Sequence, residues 1–433
     1  MVVTSASSKT TNQPVVKRLA NGLTIIAEQM PTAAVNLNIW LRVGSRVESD
    51  AINGMAHFLE HMIFKGTPQL QCGEFERLIE ERGAVTNAAT SQDYTHYYIT
   101  TAPKDFTTLA PLQVELLLNA NLHDCDFERE RPVILEEIRR SEDNPRRRVF
   151  QHSMVLNFEQ LPYRRTVLGP TSVIEQLSAE QMRDFHWRWY QPQNMTAVVV
   201  GDLPVDQLIS TVEQSFDQAL ANRRQTNLTE PLERVPVSTP EAPFTSISRV
   251  DHSDATLQQA RLVLSWRVPG LRQLSETYAL DVVASILGQG RTARLVQDLR
   301  ETRALVNNIF TSNITYGEQG VFYIAANLAI EQLDTVEAAV LEHIQRLYKE
   351  PVSEVELSRI RTQVANRYIF SNETSSDRAS MYGYYHAMTG DIENALNYPT
   401  AIKTVDADAV QSAVQRYLPI EAYGVLRLHP EAN

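Results

Sequence analysis

Two segments about half a chain apart end in the same way. "FHWRWYQPQNMTAVVVGD" holds Tyr190 and Pro192, and "AVQRYLPIEAYGVLRLHP" holds Tyr417 and Pro419, at a common offset of 227. Each shows a helix end, a Tyr-x-Pro stop and then a strand. The signals before each ending also run in the same order. "LTIIAEQM" and "VNLNIWLRVG" read as strands, a helical stretch follows, and "TNAATSQDYTHYYITTA" returns to β composition. In the second half "ARLVLSWRVPG" and "GVFYIAANLA" bracket the helical run "ETYALDVVASILGQGRTARLVQDLRE". A duplicated α+β domain explains both this order and a length of 433 residues, which suits two domains of about 200 each. Between them lie Pro231, Pro236, Pro240 and Pro243 in a polar stretch without period. The expected organisation is a disordered Ser/Thr-rich N-terminus over residues 1–14, a first domain over 15–221, a linker over 222–244 and a homologous second domain over 245–433.

The strongest chemical signal is "GMAHFLEHMIFKGT". A helix there places His57 and His61 on one face, about 6 Å apart along the axis. Two imidazoles so placed can converge on one tetrahedral metal, and Glu60 sits beside them. A catalytic zinc keeps one position open for water, whose proton a nearby carboxylate can take. The order H-x-x-E-H is that of inverted zinc peptidases. A lone pair of histidines four apart is more often structural or at the surface, so a third ligand is needed. "FERERPVILEEIRRSEDNP" offers candidates. Glu130 and Glu137 are seven apart and share a helix face, whereas Glu136 is turned about 100° away from Glu137. One acid could complete the metal site and a second could hold a ligating histidine from behind. Glu128, Glu142 and the arginines of this stretch read as a solvated, ion-paired face. Helical character is expected to stop at Pro145.

The bulk numbers exclude some functions. A net charge of −12 argues against nucleic-acid binding. No apolar run reaches the roughly 18 residues a membrane helix needs. Cys72 and Cys125 are too few for a disulfide framework, which favours a reducing compartment.

Taken together, "NGLTIIAEQMP", "VGSRVE", "GMAHFLEHMIFKGT", "NAATSQDYTHYY", "RERPVILEEI", "LPYRRTVLGP", "WYQPQNMTAVVVGD" and "GRTARLVQDLRETRAL" resemble the pitrilysin and insulin-degrading-enzyme family. The closest likeness is to its shorter branch, that of mitochondrial processing peptidase subunits and their bacterial relatives. The resemblance covers nearly the whole chain. It implies two α+β domains, each a mixed, mostly antiparallel sheet packed with helices. It implies one zinc ion per chain held by His57, His61 and Glu137, with Glu60 as general base and Glu130 as auxiliary acid. It also implies peptide substrates bound as an added strand along "NAATSQDYT", for which Asn87, Ala88 and Thr90 are the candidates.

The family's second catalytic element is an arginine followed seven residues later by a tyrosine. Here Arg300 stands at the arginine position, but the tyrosine position is Asn307. The departure implies a paralogous partner that supplies the pair, in a heterodimer. A homodimer with a weakened clamp, with Tyr316 compensating, is the other reading. The resemblance further implies a soluble protein, in the cytoplasm for a bacterial-type chain or in an organelle. A non-catalytic scaffold subunit is the competing function, and the intact motif argues against it. The acidic balance suits basic presequences, although net charge says little about one chamber.

Overall fold

The computed structural model describes residues 13–223 and 238–431. The expected disordered N-terminus lies almost wholly outside the described residues, as does most of the expected linker.

Strands β1 (Val15–Arg18), β2 (Thr24–Gln29), β3 (Val35–Leu41), β4 (Val85–Thr90), β5 (Thr95–Thr101) and β6 (Met195–Gly201) form one sheet in the order β1-β2-β6-β3-β5-β4. Strands β7 (Ser248–Ser253), β8 (Ala260–Pro269), β9 (Val306–Thr315), β10 (Gln319–Leu328) and β11 (Gly424–His429) form the other, in the order β7-β11-β8-β10-β9. Without the short β1 the two orders are the same: first strand, last, second, fourth, third. The parallel pairing also falls at the same place, β2 with β6 and β7 with β11, all other pairs being antiparallel. The duplication suggested by the Tyr-x-Pro endings is therefore a duplication of topology. It gives two domains, each a mixed sheet packed with helices. β4 and β9 occupy equivalent edges.

Each sheet buries one face against helices of its own half. Leu37, Ile39, Ala197 and Val199 pack with Phe58, Leu116 and Val212 on one side of the molecule. Leu262, Leu264, Phe322 and Ile324 pack with Ile286, Val340 and Val414 on the other. The opposite faces are covered by an exchange. The helix Ser375–Thr389 lays Ala379, Tyr382 and Tyr385 on Ile26, Trp40, Val198 and Val200 of the first sheet. The helix Pro145–Asn157 lays Val149 and Met154 on Val263, Tyr323, Leu426 and Leu428 of the second. β3 and β6 are consequently buried along their whole length, which is why β6 carries the continuous apolar run "AVVV" rather than an alternating pattern. The fit is close at Gly383, where a Cβ would overlap the Trp40 indole nitrogen.

One helix boundary differs from the sequence expectation. Pro145 does not end helical structure. It is the first residue of the helix Pro145–Asn157, where its missing N–H costs nothing, and Asn144 caps that helix through the N–H groups of Arg146 and Arg147. The chain from 238 to 244 has no regular structure, yet it is held. Glu241 accepts N–H bonds from Glu159, Gln160 and Leu161 at 2.8, 2.9 and 3.0 Å. Asp93 and Glu318 tie the halves through Arg46, at 2.8 and 3.0 Å.

Candidate metal centre

The helix Met55–Ile63 starts at Gly54, whose φ of 98° is left-handed and suits glycine. Its N–H groups without an intrahelical partner are met by one buried carboxylate, Glu48. Oε2 accepts from Gly54 N–H and from the Asn53 amide, and Oε1 accepts from Ala56 N–H, all at 2.8 Å. Burial pushes the Glu48 carboxyl up to about 7, against the opposing pull of these donors. This anchor fixes where the next turn of helix points His57. Packing of Phe58 on Phe127, with ring centroids 4.4 Å apart, sets the helix against a second one, Asp124–Glu142.

Across that contact Glu137 meets both histidines. Its Oε2 lies 3.4 Å from His57 Nε2 and 3.6 Å from His61 Nε2. Among the described residues these three form the one group of His, Cys, Asp or Glu side chains whose ligand atoms converge within 4.8 Å. The fit to zinc can be tested on these distances. Ligands about 2.0–2.1 Å from a tetrahedral ion stand about 3.4 Å from one another. Burial, then the neighbouring His61, hold His57 down to about 3, so it is the neutral imidazole that a metal requires. The donor set and its spacing fit zinc.

Glu130 does not join this triangle. Its Oε1 is 3.0 Å from His61 Nδ1, and its Oε2 accepts from Lys65 Nζ at 2.6 Å. Burial would raise its carboxyl, but Lys65 and His61 outweigh that and keep it low and ionised. Ionised, it accepts the Nδ1–H of His61 and leaves Nε2 free to face Glu137. Lys65, one turn beyond His61, was not among the candidates from sequence. Its i+4 spacing from His61 was the available signal. Replacing Glu130 with alanine is expected to weaken zinc binding by about 10–100-fold while the fold is kept. Titration against a competing chelator would measure it, and unchanged affinity would remove Glu130 from the site.

Glu60 faces the same cavity as His57, a cleft of about 760 Å³ that Ala89 and Thr90 also line. Burial raises its carboxyl, against the pull of the Thr90 hydroxyl and His61. The Thr90 hydroxyl donates to Glu60 Oε2, so the end of β4 is tied to this carboxylate. Thr90 and Ala88 are half-buried on that edge strand, and Asn87 is exposed. The Asn87 side-chain oxygen accepts the Ala88 N–H at 2.9 Å. Glu136 points away, as its position suggested, and pairs with Arg139 and Arg140.

The remaining candidates lie elsewhere. Arg300 belongs to the π-helix Val296–Thr302 and pairs with its neighbour Glu301 at 2.6 Å, and it does not line the cleft. Asn307 is exposed on β9, the edge equivalent to β4. Tyr316 is no substitute for the missing tyrosine. It is buried, stacked on Tyr163 with centroids 4.4 Å apart, and its hydroxyl donates to Met154 Sδ.

Comparison with known proteins places the chain among zinc proteases and their relatives. Residues 23–171 match the family described as insulinase (peptidase family M16), and residues 176–364 match the peptidase M16 inactive domain. An uncharacterized zinc protease of Mycobacterium tuberculosis is 27% identical over 96% of this chain and 93% of its own. Zinc protease PqqE of Helicobacter pylori is 27% identical over 88% of this chain and 84% of its own. Among solved structures, a protease from Helicobacter pylori superposes with a TM-score of 0.89 at 23% identity, over 97% of this chain and all of that one. A subunit of complex III from Candida albicans shares the fold with a TM-score of 0.80 at 17% identity, over 96% of this chain and 95% of that one. With H-x-x-E-H falling in the first match and Arg300 in the second, the chain belongs to the insulinase, or M16, family of peptidases.

Proposed function

We propose that this chain is a zinc-dependent endopeptidase that cleaves unfolded peptides or presequences held as an added strand on β4, in a chamber closed by a partner subunit. The observation that carries this reading is the convergence of His57, His61 and Glu137 beside a cleft bordered by Glu60 and by a free sheet edge. An extended peptide would pair with the main chain of that edge, displacing the Asn87 side chain from the Ala88 N–H it now holds. Because Thr90 is tied to Glu60, a residue docked beside Ala88–Thr90 has its carbonyl at the base.

His57, His61 and Glu137 would hold the metal. Zinc, when bound, supplies a Lewis acid for the carbonyl and lowers the pKa of a water. Glu60, its carboxyl raised by burial, takes that water's proton and passes it to the leaving amine. Glu130 holds His61 in one tautomer. The edge strand orients the peptide by hydrogen bonds to main chain, so side-chain selection at those positions is loose.

Arg300 and Asn307 lie away from this cleft, and Asn307 is not the tyrosine of the family's pair. A paralogous partner that carries both Arg and Tyr completes the chamber in this reading, as a heterodimer, and the cytoplasm remains the expected compartment. The zinc-loaded chain alone is expected to turn over unstructured peptides slowly, with cleavage abolished by chelator and raised at least about ten-fold when the paralogue is added. A closed homodimer with full activity would remove the partner from the proposal. Bound zinc with silence in both assays would favour a scaffold.

A further inference from the structure

The cleft of His57 and Glu60 has a basic rim. The start of the helix Pro145–Asn157 contributes Arg146, Arg147 and Arg148 to its lining. Arg148 is already engaged, its Nη2 donating to Asp254 at 2.6 Å. Arg146 and Arg147 are exposed, and among the described residues neither has an ion-pair partner. Arg261 on β8 lies close enough to Arg146 to feel its charge, and its Nε and Nη1 are buried without a hydrogen-bond partner. Burial first, and then the charge of Arg146, press the Arg261 guanidinium below its ordinary range. The acids nearby do not neutralise this group. Glu60 is held by Thr90, Asp254 is taken by Arg148, and the exposed carboxylate of Glu142 pairs with neither free arginine among the described residues.

Like charges gathered without a counter-ion repel, and the repulsion is relieved when an anion docks between them. Guanidinium groups are matched in shape to carboxylates, which they bind through paired N–H bonds. We propose that Arg146 and Arg147, backed by Arg261, form a carboxylate-binding subsite of the cleft, so that the preferred peptides carry an acidic residue near the scissile bond. This rests on the peptidase reading and refines its substrate class. It reverses the expectation drawn from the overall charge of −12. The local field of the cleft, not the sum over the chain, meets the peptide there.

The test is binding, so that it does not depend on turnover. Fluorescein-labelled unstructured peptides are titrated into zinc-loaded full chain carrying Glu60→Gln. In the series one Glu is walked along an otherwise neutral sequence, with Gln at the same place as control, and each peptide is made as free acid and as C-terminal amide. Glu at one register is expected to lower Kd about ten-fold relative to Gln, a difference of about 1.4 kcal/mol. The double substitution Arg146→Ala, Arg147→Ala is expected to erase that difference, and 0.5 M salt to shrink it. Dependence on the free C-terminus instead of the Glu side chain would assign the same subsite to a terminal carboxylate. Equal affinity for Glu, Gln and amidated peptides would overturn the proposal, as would discrimination that survives the double substitution. Cleavage by the unmodified chain without discrimination leaves the peptidase standing and removes the subsite. Discrimination without any cleavage does the opposite.

Discussion

Glu60→Gln is expected to lower kcat/KM on unstructured peptides by about a thousand-fold or more and to leave zinc binding intact. A positioned general base contributes about 10²–10⁴-fold, and each ten-fold is about 1.4 kcal/mol of barrier. The amide has the same shape as the carboxylate, and its oxygen can still accept the Thr90 hydroxyl bond that ties Glu60 to β4. What it cannot do is take a proton. The three converging ligand atoms belong to His57, His61 and Glu137 and are untouched by the change. Zinc content per chain, measured beside peptide cleavage, therefore separates loss of the base from loss of the metal. If more than a tenth of the activity survives with zinc bound, Glu60 is not the base. A non-catalytic scaffold would show no change in its biology on this substitution.

The parts of the site that were legible in the sequence are those written in short-range spacing. His57, Glu60 and His61 lie within one helical turn, and Glu130 and Glu137 lie two turns apart on another. The i+4 and i+7 rules place them without knowledge of the fold. Which acid would complete the triangle was a matter of resemblance, because it depends on how two helices pack, here through Phe58 and Phe127. The fold was legible for a similar reason. The Tyr-x-Pro endings mark the last strand of each half, and that strand inserts at the same place in both sheets. The exchange of helices between halves was not legible, since nothing local distinguishes an apolar face meant for its own sheet from one meant for the other. Pro145 misled because proline both stops one helix and starts the next. Tyr316 misled because its sequence position near Asn307 hides its burial under Tyr163. The basic rim was hidden by summing charge over the whole chain.

Glu48 is the residue whose weight the sequence concealed most, since an acid in "VGSRVE" reads as surface. Its replacement by alanine is expected to destabilise the protein by about 3 kcal/mol, because it strands the Gly54 and Ala56 N–H groups and the Asn53 amide in a buried place, each costing about 1–3 kcal/mol. The helix that carries both histidines is the one it starts, so zinc affinity should fall with stability. Glu48→Gln separates charge from shape. Burial raises the folded-state carboxyl from 4.5 to about 7. A group raised on folding gives its stabilisation fully below its unfolded value and loses it as pH rises through the folded one. The unmodified chain should therefore lose up to about 3 kcal/mol from this group between pH 4.5 and 7, whereas the Glu48→Gln chain should lack that slope. Denaturant midpoints for the two chains across that window give the comparison directly. Parallel curves would mean that the donors from Gly54, Ala56 and Asn53 outweigh burial and that Glu48 is ionised throughout. The carboxylate would then act as a fixed negative charge at the helix N-terminus, and its loss in the alanine variant would cost more than about 3 kcal/mol.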